Sequence, residues 1–150
     1  MQTYDTTQRK RILLVDDERL VRETVKELLP TGEYTVVEAN NGAEALSLFA
    51  RSRFDLVLTD FEMPFLKGDE LATRIKRLAP TQRILMITAY MHPPGPDNPV
   101  DMVLRKPFTL VKLRSVVADL LQDGEGGTES SLAELHGFAA ERERLLHSHN

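Results

Sequence analysis

Short, largely apolar runs bounded by charged or turn-forming residues recur along the chain. They lie at residues 12–15, 35–37, 56–59, 84–88 and, more weakly, 102–104. Runs of this length read as buried strands. Stretches with helical spacing separate the first four. Residues 19–29 place Leu20, Val21, Val25, Leu28 and Leu29 on one face. Asn41 and Gly42 open a second helix with Ala45, Leu46 and Phe49 inward, and residues 69–79 line up Leu71, Ile75, Leu78 and Ala79. After the fifth run, residues 110–121 line up Leu113, Val116, Val117, Leu120 and Leu121. Alternation of helices with fully apolar strands predicts an α/β fold, a doubly wound five-stranded parallel sheet covered by helices on both faces.

One step of the alternation fails. The stretch 89–100 holds Pro93, Pro94, Pro96 and Pro99, half of the eight prolines in the chain, with Gly95 among them. Each interior proline removes a backbone donor and costs a helix about 3 kcal/mol. A loop is expected there. Residues 123–128 (Asp123, Gly124, Glu125, Gly126, Gly127 and Thr128) have the composition of a linker. A last amphipathic helix is expected over 129–147, capped by Ser130 or Ser131. Ser131 and Glu134 have capping-box spacing, and Leu132, Leu135, Phe138, Ala139, Leu145 and Leu146 form its stripe. About 18 residues is marginal for a lone helix in water, so this one is expected to dock. The organisation read from the pattern is a domain at 9–122, a linker and a terminal helix.

Composition narrows the chemistry. The 150 residues are 41% hydrophobic and 28% charged, enough for one core but not two. The absence of cysteine removes disulfides, thiolate catalysis and cysteine-ligated zinc. No apolar run approaches the roughly 18 residues of a membrane span, and the polar start of the chain lacks a signal-peptide pattern. Residues 1–122 hold 17 acidic and 17 basic side chains, whereas 123–150 hold 6 and 2, so the tail carries the whole net charge of −4. Without a basic stripe, electrostatically driven binding of nucleic acid is not expected.

In open parallel sheets the functional crevice lies at the carboxyl ends of the strands. The first run ends in Asp16 and Asp17, the third in Asp60, the fourth in Thr88 and Ala89, and the fifth in Lys106 and Pro107. In a doubly wound sheet the first, third, fourth and fifth strands are neighbours, so three carboxylates, a hydroxyl and an ammonium converge. Clustered carboxylates repel unless some are protonated or a divalent cation sits among them. An all-oxygen ligand set favours magnesium. A carboxylate beside a magnesium ion, a lysine and a hydroxyl suits phosphoryl transfer, with the carboxylate as nucleophile.

On these residues the sequence resembles the receiver domains of two-component response regulators. The matching residues are Leu13-Leu14-Val15-Asp16-Asp17-Glu18, then Asp60-Phe61-Glu62-Met63-Pro64 with Gly68, then Thr88-Ala89, then Lys106-Pro107-Phe108. Their order and spacing agree over about residues 9–122. The resemblance implies a flavodoxin-like sheet of order 2-1-3-4-5 and a signalling module, not an enzyme beyond its own phosphorylation and dephosphorylation. It implies a phosphoryl group passed to Asp60 by a histidine kinase or phosphotransfer protein in the cytoplasm. It further implies that Asp17, Asp60 and the main-chain carbonyl of Glu62 ligate Mg2+ while Asp16 assists through water. Lys106 would pair with the phosphoryl group, Thr88 would swing toward it on activation, and the small Ala89 would leave the pocket open. The Lys106–Pro107 bond is expected to be cis.

The sequence also departs from that family. Only 17 residues separate Thr88 from Lys106, and they are proline-rich where the family carries its fourth helix. Val103 stands at the aromatic switch position, and Tyr90 lies two residues after Thr88. An altered output face, a degenerate or missing fourth helix and an unknown downstream protein partner follow as expectations. Residues 123–150 are too few for an output domain with its own core. The terminal helix is therefore the expected output element, through homodimerisation along Leu132, Leu135, Ala139 and Leu146 or by docking over the altered face. The alternative is a receiver-like interaction module that does not switch. A phosphohydrolase or nucleotide-binding enzyme on the same fold is disfavoured, since no phosphate-binding glycine loop is present. His147 and His149 read as a solvated tail end, and His92 has no evident partner.

Overall fold

The structure, a computed structural model, describes residues 9–89 and 99–122. The chain divides into two compact units, Met1–Leu120 and Leu121–Asn150, and the sheet and the site belong to the first. The elements are β1 (Lys10–Val15), α1 (Arg19–Leu28), β2 (Tyr34–Ala39), α2 (Gly42–Arg51), β3 (Leu56–Asp60), α3 (Gly68–Leu78), β4 (Ile84–Thr88), β5 (Met102–Arg105) and α4 (Leu110–Leu121). All five strands are parallel, in the expected order β2-β1-β3-β4-β5. Tyr90 and residues 91–98, with Pro93, Pro94 and Pro96, lie outside the described residues, as do the linker, the helix expected over 129–147, and His147 and His149.

Each element follows from local chemistry. Ile12 to Val15, Leu56 to Leu58 and Ile84 to Ile87 are almost wholly buried, which is why their runs carry no alternation. Asn41 caps α2 by accepting from the Glu44 amide at 2.8 Å, while the Glu44 carboxylate accepts from the Asn40 amide at 3.1 Å. Thr109 does the same for α4, its hydroxyl oxygen accepting from the Lys112 amide at 3.1 Å. Asp69 and Glu70 in the first turn of α3, and Lys76 and Arg77 in its last, complement the helix dipole. On one face of the sheet, Leu13, Val15, Val57 and Ile84 pack with Ala45 of α2 and with Leu71, Ala72 and Ile75 of α3.

Two positions expected to face inward do not. Leu20 is 76% exposed, and the side of α1 that is buried carries Arg22 and Val25 instead. A period of 3.6 residues turns Leu20 away from a stripe through those two positions. Leu78 is 64% exposed because it closes α3 at the flank of the stripe through Leu71 and Ile75. The inward set expected for α4 holds, since Leu113, Val116, Val117, Leu120 and Leu121 are all buried.

Candidate functional site

Strand register assembles the site. Val15 of β1 lies opposite Thr59 of β3, so the next residue on each strand, Asp16 and Asp60, emerge side by side. Asp60 pairs with Ile87 of β4, which puts Thr88 one step further along. Thr88 pairs with Arg105 of β5, and the Lys106 amide donates to the Thr88 carbonyl at 2.9 Å. This edge is also where the strand order reverses, between β1 and β3, the usual place for a ligand in an open α/β sheet.

The structure brings the three acids and Lys106 together. Carboxylate oxygens of Asp16, Asp17 and Asp60 lie within 4.8 Å of one another. The Lys106 ammonium sits 3.9 Å from both Asp16 Oδ2 and Asp60 Oδ2, an ion pair shared between two acids. Asp16 is buried, Asp17 is exposed at the mouth and Asp60 is half-buried. Thr88 is buried at the end of β4, and Ala89 is exposed just beyond it. Glu62 is exposed two residues past Asp60. The Lys106–Pro107 peptide is cis, as the family resemblance implies.

The electrostatics follow from this crowding. Burial pushes the Asp16 carboxyl from 3.8 up to about 6. The Glu18 amide, donating to its Oδ1 at 2.9 Å, and Lys106 oppose the rise, while Asp60 and Asp17 add to it. Burial also raises Asp60, against the pull of Lys106 and of the Phe61 and Glu62 amides, of which Phe61 donates at 2.7 Å. With all three acids ionised and one lysine among them, two negative charges stay unmatched. One divalent cation supplies that charge, and the donors are all hard oxygens, the set that magnesium prefers. The residues therefore fit the ion.

The backbone around Asp60 is tightly fixed. The Thr59 hydroxyl donates to the Asp60 carbonyl at 2.9 Å. Gly68 packs directly on that carbonyl, so a β-carbon there would overlap Asp60 O and stand 3.0 Å from Asp60 C. Its amide donates to the Phe61 carbonyl at 2.9 Å, closing the β3–α3 loop. Within the loop, the Leu66 amide donates to the Pro64 carbonyl at 2.8 Å across Phe65, whose φ is +70°. A turn of that size with positive φ is the strained form of the γ-turn.

Sequence reasoning placed every residue of this cluster but missed Arg22. Arg22 reaches from α1 to donate from Nη1 to the Asp16 carbonyl at 2.7 Å, and its Nε lies 3.3 Å from the Glu38 carboxylate. A charged residue between Val21 and Glu23 reads as solvated, and only the tertiary fold shows it buried.

Fold and site thus define an α/β protein with an acidic, lysine-bearing crevice at the point where its sheet reverses order. Residues 12–118 match the response regulator receiver domain model, and the chain belongs to that family. The response regulator MprA of Mycobacterium leprae is 38% identical over 116 residues, which cover 75% of this chain and 51% of that protein. The chain spans about half the length, or less, of the curated relatives it matches. The response regulator TrrA of Thermotoga maritima, solved in complex with Mg(2+)-BeF, is 38% identical. It superposes with a TM-score of 0.70 over 75% of this chain and 99% of that one. A complex of TrrA with the histidine kinase ThkA aligns over the same shares with a TM-score of 0.69.

Proposed function

We propose that this receiver domain accepts a phosphoryl group on Asp60 from the phosphohistidine of a histidine kinase or phosphotransfer protein, in a magnesium-dependent step. The observation that carries the reading is the convergence of three carboxylates with a lysine that reaches two of them. Asp17, Asp60 and the Glu62 carbonyl would hold the ion, with Asp16 acting through water, and the bound ion would neutralise charge on the phosphoryl oxygens.

A carboxylate oxygen of Asp60 forms the new bond to phosphorus as the donor's phosphorus–nitrogen bond breaks, and the electron pair leaves with the donor imidazole. Lys106 then exchanges its pairing with Asp60 for the phosphoryl group. Thr88 would donate a hydrogen bond to that group, and the small Ala89 would leave the entrance clear. The domain is best taken as residues 9–122, followed by a linker at 123–128 and a helix at 129–147, working in the cytoplasm. No described helix is long and apolar enough to cross a membrane. The experiment is label transfer from a phosphorylated histidine kinase. Label should reach the wild-type chain, and Asp60→Asn or a chelator should abolish it; transfer to Asp60→Asn would refute the assignment.

A further inference from the structure

We propose that Arg22 is a positioning residue for cation binding in the pocket, holding the Asp16–Asp17 peptide at the angle that presents both carboxylates. The proposal rests on the reading of the cluster as a divalent-cation site.

Besides its ion pair with Lys106, Asp16 is held by three hydrogen bonds. Its amide donates to the Ala39 carbonyl at the end of β2 at 3.2 Å, and its side chain accepts from the Glu18 amide at 2.9 Å. Its carbonyl, which forms the peptide to Asp17, is held by Arg22 Nη1 at 2.7 Å. The strand register ends at Val15, and among the described residues no backbone amide is seen donating to that carbonyl. Charge-assisted hydrogen bonds of this length are the stronger kind.

Arg22 is itself held on two sides. It is only 8% exposed, and its Nε faces Glu38, which Lys26 also approaches at 3.3 Å. The planar guanidinium serves a carbonyl and a carboxylate at once from fixed directions, which a lysine ammonium does not reproduce. The clamp thus joins the ends of β1, β2 and α1 behind the acids. Asp17 is exposed at the pocket mouth, so its placement depends on the peptide that precedes it.

Sign separates positioning from simple charge. Removing a cation near an acidic cluster strengthens divalent-cation binding through Coulomb attraction alone. Loss of positioning weakens it, typically tenfold or more for residues that orient ligands. The test is calorimetric titration of the full chain with MgCl2. Arg22→Met is expected to bind about tenfold more weakly than wild type. The control is Arg114→Met, which removes an arginine hydrogen bond of the same 2.7 Å length to the Leu28 carbonyl, away from the pocket. It should leave magnesium affinity unchanged.

Amide NMR of the metal-free proteins gives a readout independent of the ion. The Asp17 resonance should shift in Arg22→Met and stay in place in Arg114→Met. Equal or tighter magnesium binding by Arg22→Met would overturn the proposal. If Arg22→Met does not fold, Arg22→Lys decides, since it keeps the charge but not the fork. Severalfold weaker binding supports the clamp, and wild-type affinity overturns it. A wild-type chain that binds no magnesium would instead sink the cation-site reading beneath it.

Discussion

At the scale of single residues, two acids of the site, Asp16 and Asp60, weaken the metal-free fold once they ionise. The Asp16 carboxyl rises to about 6 on burial, so the folded chain binds more protons than the unfolded one between pH 4 and 6. Stability of the metal-free protein should therefore fall as pH rises through that window, by at most about 3 kcal/mol from this group. Asp60 is raised as well and adds in the same direction. Urea unfolding at pH 4 and pH 7, with and without magnesium, reads both effects, and Asp16→Asn should flatten the slope. A metal-free protein that gains stability over this range would contradict the electrostatic account. Gly68 is constrained differently, by contact. Gly68→Ala drives a methyl group into the Asp60 carbonyl and should cost about 1–3 kcal/mol, with impaired phosphoryl acceptance. Phe65 runs the other way. It is fully exposed at φ +70°, so Phe65→Gly should stabilise the protein by about 1 kcal/mol by thermal melting.

At the scale of elements, the caps and stripes explain what could be read in advance. Asn41 before Gly42 marks a helix start in the residues alone, the structure adds the Glu44 amide as the group it caps, and Asn41→Ala should cost about 1 kcal/mol in urea unfolding. The central strands β1, β3 and β4 were legible because parallel strands buried on both faces are apolar throughout. Their ends were less so. Lys10, Arg11 and Glu38 belong to strands through pairing in register, Lys10 with Tyr34 and Leu14 with Glu38, which no local pattern announces. Leu20 and Arg22 show the same limit. Hydrophobicity alone put the leucine inside, whereas the fold buries the arginine to satisfy a carbonyl and a carboxylate. The acids and Lys106 were legible because each ends a recognisable strand, and a doubly wound sheet brings those ends to one edge.

At the scale of the molecule, a neutral α/β domain concentrates three acids and one lysine where the sheet reverses order. The 17 acidic and 17 basic residues of 1–122 balance, so the local excess of negative charge at this edge comes from placement and not from composition. Taking 9–122 as the self-sufficient receiver, a chain ended at Gln122 should unfold cooperatively and keep phosphoryl acceptance. If the terminal segment mediates self-association, light scattering should show 1–150 in a larger assembly than 1–124. One shared oligomeric state would remove that role. The central claim is that Asp60 is a magnesium-dependent phosphoacceptor, and intact mass tests it most directly. After incubation with magnesium and a small-molecule phosphodonor, the wild-type chain should gain one phosphoryl group, and Asp60→Asn or omission of the metal should prevent the gain. A folded wild-type chain that gains nothing, or an Asp60→Asn chain that gains as much, would contradict the account.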